Sequence, residues 1–126
     1  MKRVLVADDE AAVTRLIQMR LEGEGYEVDV APNGEVALDE LAKHEYDVLV
    51  TDVCMPRMNG QQLVETLRRD ERHAALRIFV LSSRPEAEFR SWTEQQQGVT
   101  FLEKPVSVNA LLQRIREAAE PPEPAA

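Results

Sequence analysis

Six polar side chains of this 126-residue chain stand where apolar runs end, and one kind of chemistry could use all of them. Asp8 and Asp9 follow "VLVA", Asp52 follows "YDVLVT", Ser82 and Ser83 end "RIFVLSS", and Lys104 follows "VTFLE". Three carboxylates brought together repel one another unless something positive lies among them. A donor set of oxygens, without His or Cys side chains, favours a hard cation, Mg2+ first, which keeps several waters and takes a phosphoryl oxygen as a further ligand. Lys104 adds a point charge opposite the acids, and Ser82 can donate one hydrogen bond. Carboxylate, divalent metal, ammonium and hydroxyl are what phosphoryl transfer needs, because that chemistry is mostly positioning and charge neutralisation. In this set Asp52, the central acid, reads as a nucleophile that forms an acyl phosphate.

These residues meet only if the runs before them are strands of one sheet. The spacing predicts strands over 2–7, 26–31, 46–51, 77–83 and 99–103. Between them lie helical patterns: residues 10–22 with Val13, Leu16, Ile17 and Leu21, and a helix capped by Asn33 with Val36, Ala37, Leu38 and Leu41. A third begins near 60 with Leu63, Val64 and Leu67, a fourth runs from Pro85 to about Gln97, and the last covers 107–119. Such alternation predicts an α/β fold, a doubly wound parallel sheet of five strands with helices on both faces. The first, third and fourth strands are apolar almost throughout and belong in the centre, whereas the second is half polar and the fifth is short. The strand order is therefore 2-1-3-4-5, which places every candidate residue at the carboxyl edge, where open α/β sheets hold their ligands.

Length and charge narrow the reading. Residues 1–119 suffice for one domain, and "EPPEPAA" (120–126) reads as a disordered tail or the start of a linker. A net charge of −8 argues against direct nucleic-acid binding by this domain. No run is long enough to span a membrane, and the first apolar run meets acids after four residues, unlike a signal peptide, so a cytoplasmic protein is expected. The single Cys54 excludes an internal disulfide and a Cys-based zinc site.

At this point a family likeness enters. "VADDE" (6–10), "VTDVCMPRMNG" (50–60), "LSS" (81–83) and "FLEKP" (101–105) resemble the motifs of two-component response-regulator receiver domains, of the chemotaxis-regulator kind with a flavodoxin-like sheet. The likeness covers residues 2–119 and implies a role for each matching position. Asp52 is the phosphoacceptor, Asp9 a direct Mg2+ ligand, Asp8 a ligand directly or through water, and the main-chain carbonyl of Cys54 a further ligand. Ser82 is the hydroxyl that follows the phosphoryl group, Phe101 the aromatic that swings with it, and Lys104 the partner of the phosphoryl oxygens, joined to Pro105 by a cis peptide. A sensor histidine kinase or a phosphotransfer protein donates the phosphoryl group. A downstream protein or output domain reads the surface of the fourth helix, fifth strand and fifth helix, which also serves homodimers.

The chain departs from the pattern in several places. Ser82 stands for the usual Thr, Ser83 brings a second hydroxyl to the rim, and Arg84 and Cys54 occupy positions that tune attack by water on the acyl phosphate. Phe89 and Trp92 either form one packed face or leave Trp92 partly exposed on the partner surface. Other classes remain open: a small Mg2+-dependent phosphohydrolase with an aspartyl phosphate, a flavodoxin-like cofactor binder, and a degenerate receiver acting by contact alone. The first usually has an Asp at the position of Cys54, the second a hydroxyl- and Gly-rich loop where "ADDEAAV" stands, and the third lacks a complete acidic set.

Overall fold

The computed structural model describes residues 2–53, 57–82, 92, 98–103 and 107–119. Its five strands, β1 (Arg3–Ala7), β2 (Glu27–Ala31), β3 (Val48–Asp52), β4 (Arg77–Ser82) and β5 (Val99–Glu103), pair in parallel in the order β2-β1-β3-β4-β5. The helices among the described residues include α1 (Ala11–Gly23), α2 (Gly34–Lys43), α3 (Gly60–Arg68) and α4 (Val108–Ala119), with a short 3-10 turn at Glu71–His73.

Alternation along the strands separates two cores. Val4, Val6, Val48, Val50, Phe79 and Leu81 face α1 and α4, where they meet Ile17, Leu21, Leu111 and Ile115. Leu5, Leu49, Ile78 and Val80 face α2 and α3, where they meet Ala37, Leu41, Leu63 and Leu67. Because β1, β3 and β4 are covered on both faces, their sequences show no polar gap, which is why they could be placed in the centre.

Local differences have local causes. β3 starts at Val48, two residues later than expected; just before it the Tyr46 hydroxyl donates to Asp29 Oδ2 at 2.6 Å, and Asp47 Oδ2 accepts the Arg3 amide at 3.0 Å. On α1 the expected inward residue Leu16 is 48% exposed. The buried stripe runs instead through Thr14, Ile17 and Leu21, at spacings of three and four residues, and the Thr14 hydroxyl is satisfied by donating to the Ala11 carbonyl at 3.0 Å. Gly25, with φ +94°, lets the chain leave α1 and turn into β2. The helix expected over 85–97 lies outside the described residues except for Trp92, which is helical, half buried, and packed on the α2–α3 core.

Candidate functional site

The site is built at the ends of β1 and β3, which are neighbours. Asp8 directly follows β1 and is 4% exposed. Its amide donates to the Ala31 carbonyl at 3.0 Å, and its Oδ1 accepts the Glu10 amide at 2.9 Å, which starts α1 where Glu10 offers no cap of its own. Asp9 is exposed. Asp52 is the last residue of β3, 7% exposed, and its Oδ1 accepts the Val53 amide at 2.8 Å, a bond that sets the rotation of the carboxylate.

Asp8, Asp9 and Asp52 each offer an oxygen within 4.8 Å of the others. Two buried carboxylates and one exposed carboxylate at that spacing are costly for a folded chain unless positive charge joins them. The donor set suits a hard divalent ion: oxygen ligands alone, with Asp9 on the solvent side where waters can complete the shell. The remaining predicted residues divide. Ser82 ends β4, is 3% exposed, and by alternation shares a sheet face with Val80, whose register partner is Phe101 on β5. The serine and the half-buried aromatic therefore lie one diagonal step apart on the same face. Cys54, Ser83, Arg84, Lys104 and Pro105 lie outside the described residues.

Two contacts near Asp52 escaped the sequence reading. Gly60 opens α3, and its amide donates to the Val53 carbonyl at 3.0 Å. A Cβ there would collide with the Asp52 carbonyl oxygen and come within 3.0 Å of Val53 Cα. Gly34 opens α2, and its amide donates to the Met58 carbonyl at 3.0 Å. Each glycine follows an Asn whose side chain caps the helix: Asn33 accepts the Val36 amide, and Asn59 forms a capping box with Gln62. The available signal was the repeated Asn-Gly pair, which by itself reads only as a turn. A groove of about 780 Å³ lies at the opposite, amino edge of the sheet, lined by Arg3, His44, Tyr46, Asp47, His73 and Arg77 among others, and does not include Asp8, Asp9 or Asp52.

The sheet is doubly wound in the order β2-β1-β3-β4-β5, with an acidic trio at its carboxyl edge. The chain belongs to the response regulator receiver domain family, whose model matches residues 4–116, and is the receiver domain of a two-component response regulator. It is 36% identical over 114 residues to the response regulator MprA of Mycobacterium avium, and likewise to that of Mycobacterium tuberculosis; each match covers 90% of this chain and 49% of the relative. The chain thus spans about half the length of the curated relatives it matches. Among solved structures, the chemotaxis protein CheY4 of Vibrio cholerae is 28% identical with a TM-score of 0.86, over 94% of this chain and 98% of that one. The response regulator TrrA of Thermotoga maritima, solved in complex with Mg2+ and BeF, is 29% identical with a TM-score of 0.80, over 94% and 99% of the two chains. Receiver domains are signalling domains rather than turnover enzymes. Among the described residues no helix is long and apolar enough to cross a membrane.

Proposed function

We propose that Asp52 accepts a phosphoryl group from the phosphohistidine of a sensor histidine kinase or phosphotransfer protein, and that the phosphorylated domain then controls a partner or output domain. The observation that carries this reading is the convergence of Asp8, Asp9 and Asp52 oxygens within 4.8 Å at the carboxyl edge of the sheet. A carboxylate oxygen of Asp52 attacks phosphorus, the P–N bond breaks, and its electron pair leaves with the imidazole, so an acyl phosphate replaces a phosphoramidate. Asp8, Asp9, Asp52 and the main-chain carbonyl of Cys54 would hold Mg2+, which when bound supplies neutralisation of the phosphoryl charge. The Val53 amide keeps the Asp52 carboxylate turned as it is before the reaction. Ser82 donates to a phosphoryl oxygen and Lys104 pairs with another, and Phe101 follows Ser82 because the two share a face. Hydrolysis by water releases inorganic phosphate and restores the carboxylate, at a rate tuned by Cys54, Ser83 and Arg84 at the rim. Pro105 fixes the approach of Lys104. The complex of TrrA with Mg2+ and BeF supports this reading by family likeness.

The test is incubation with Mg2+ and acetyl phosphate, followed by intact-mass measurement. The parent protein gains one phosphoryl group and Asp52→Asn gains none. A parent that shows neither a mass gain nor bound beryllofluoride sinks the assignment.

A further inference from the structure

The two acidic arms of the site come from different strands, and one short turn touches both. The Asp8 amide donates to the Ala31 carbonyl at 3.0 Å, and three residues beyond Ala31 the Gly34 amide donates to the Met58 carbonyl, also at 3.0 Å. We infer that residues 31–34, the turn from β2 into α2, are a strut that sets the Asp52 arm relative to the Asp8 arm, with Gly34 as its positioning residue. This rests on the reading of the acidic trio as a metal-dependent acceptor site.

The strut has little freedom. Asn33 within it is 8% exposed, and its side chain accepts the Val36 amide at 2.9 Å, so the turn is continuous with the first turn of α2. At Gly34 the main chain approaches the main chain and the root of the side chain of Met58: a Cβ would lie 2.6 Å from the Met58 carbonyl oxygen and 2.7 Å from both Met58 Cβ and Cγ. A carbonyl oxygen and a Cβ cannot rotate aside as the end of a flexible side chain can. Any residue larger than glycine must therefore push either α2 or the segment that holds Met58. That segment is already constrained, since Arg57 before it has φ +67°, a conformation that residues with a Cβ seldom adopt. The Gly60 amide, bonded to the Val53 carbonyl at 3.0 Å, then closes the segment beside Asp52. An ion pair also crosses this contact, Arg57 to Glu35 at 3.5 Å, but both side chains are more than half exposed. Exposed pairs contribute little, so the main-chain contact is the link. Mg2+ tolerates little error in ligand position, so a displacement of a few tenths of an ångström on the Asp52 arm reaches the metal.

The experiment compares the parent with Gly34→Ala, with Gly23→Ala as a matched control because a Cβ at Gly23 meets nothing within 4 Å. Leu41→Ala serves as a second control that destabilises the α2 core away from the turn. Mg2+ half-saturation is measured by calorimetric titration, alongside the Mg2+ dependence of labelling by acetyl phosphate. Gly34→Ala should weaken Mg2+ binding about 10-fold or more, the usual loss when a residue that orients metal ligands is changed. Its labelling rate should recover at saturating Mg2+. Leu41→Ala should melt lower yet keep the parent's half-saturation, which separates positioning from stability. Should Gly34→Ala not fold, amide exchange in the parent decides: the Gly34 and Asp8 amides gain protection together when Mg2+ and beryllofluoride are added, while the His44 amide at the far end of α2 does not. Unchanged Mg2+ binding in a folded Gly34→Ala, or a loaded parent with no change at the Gly34 amide, overturns the strut alone. A parent that takes up neither Mg2+ nor beryllofluoride overturns the acceptor reading and the strut with it.

Discussion

Replacing Asp52 by Asn should raise the melting temperature of the metal-free protein and lower its response to Mg2+. Asp8 and Asp52 are 4% and 7% exposed, with carboxylate oxygens no more than 4.8 Å apart. Two like charges at that separation repel by roughly 3.5 kcal/mol at an effective dielectric constant of about 20, and by roughly 0.9 kcal/mol in bulk water. A cation nearby, the role expected of Lys104, draws the value toward the lower end. Asn keeps the shape and still offers Oδ1 to the Val53 amide, so the charge is the main change. The expected gain is about 1–3 kcal/mol, or roughly 3–10 °C in melting temperature for a domain of this size. Saturating Mg2+ should reverse or close that gap, since ligand at a hundred times its dissociation constant adds about 2.7 kcal/mol to a protein that keeps all its ligands. Thermal melts followed by circular dichroism, in chelator and across a Mg2+ series, give both limbs. A variant that melts below its parent in chelator would refute the claim that the acids strain the metal-free fold.

Three further outcomes follow from particular contacts. Gly60→Ala should lose about 1–3 kcal/mol from overpacking against the Asp52 carbonyl, whereas Gly23→Ala, at the open end of α1, should gain about 0.4–1 kcal/mol; urea midpoints at constant slope report both. Asn33→Ala removes the cap of α2 and should cost about 1 kcal/mol by the same measurement. Asp70 should titrate at about 2, down from 3.8, first because the Arg72 side chain donates to it. Its depressed value means its small stabilising effect is complete above about pH 4 and is lost as pH falls through 2. Carbon NMR of the carboxyl group checks this, and an Arg72→Ala variant whose midpoint stays low would contradict it.

The strand order and the acidic site were legible because they depend on patterns one strand long. Strands buried on both faces must be apolar throughout, and although one carboxylate past such a strand can serve as a helix cap, as Asp8 does for the Glu10 amide, three on neighbouring strand ends exceed what capping needs. Leu16 was misplaced for the same kind of reason: apolarity pointed inward, while the helical stripe that fits the sheet passes through Thr14, whose hydroxyl is satisfied locally. The grip of Gly34 on Met58 was not legible, because it joins main chain to main chain across 24 positions and leaves no mark in side-chain chemistry beyond an Asn-Gly pair. The same pair at Asn59-Gly60 hides a contact with Asp52 itself.

The last helix carries a consequence for how the chain is made. Leu111, Leu112, Ile115 and Ala119 of α4 complete the core that Val4 and Val6 of β1 begin. Arg20 to Asn109 and Arg116 to Glu24, each at 2.6 Å, tie the first helix to the last. During synthesis this side of the sheet thus stays only partly covered, by α1, until more than a hundred residues have left the ribosome. On the other side α2 and α3 arrive earlier, and Trp92 joins them later. A nascent receiver is therefore a half-shielded sheet, and any tether or fusion placed just after Ala119 acts at the moment that sheet is sealed.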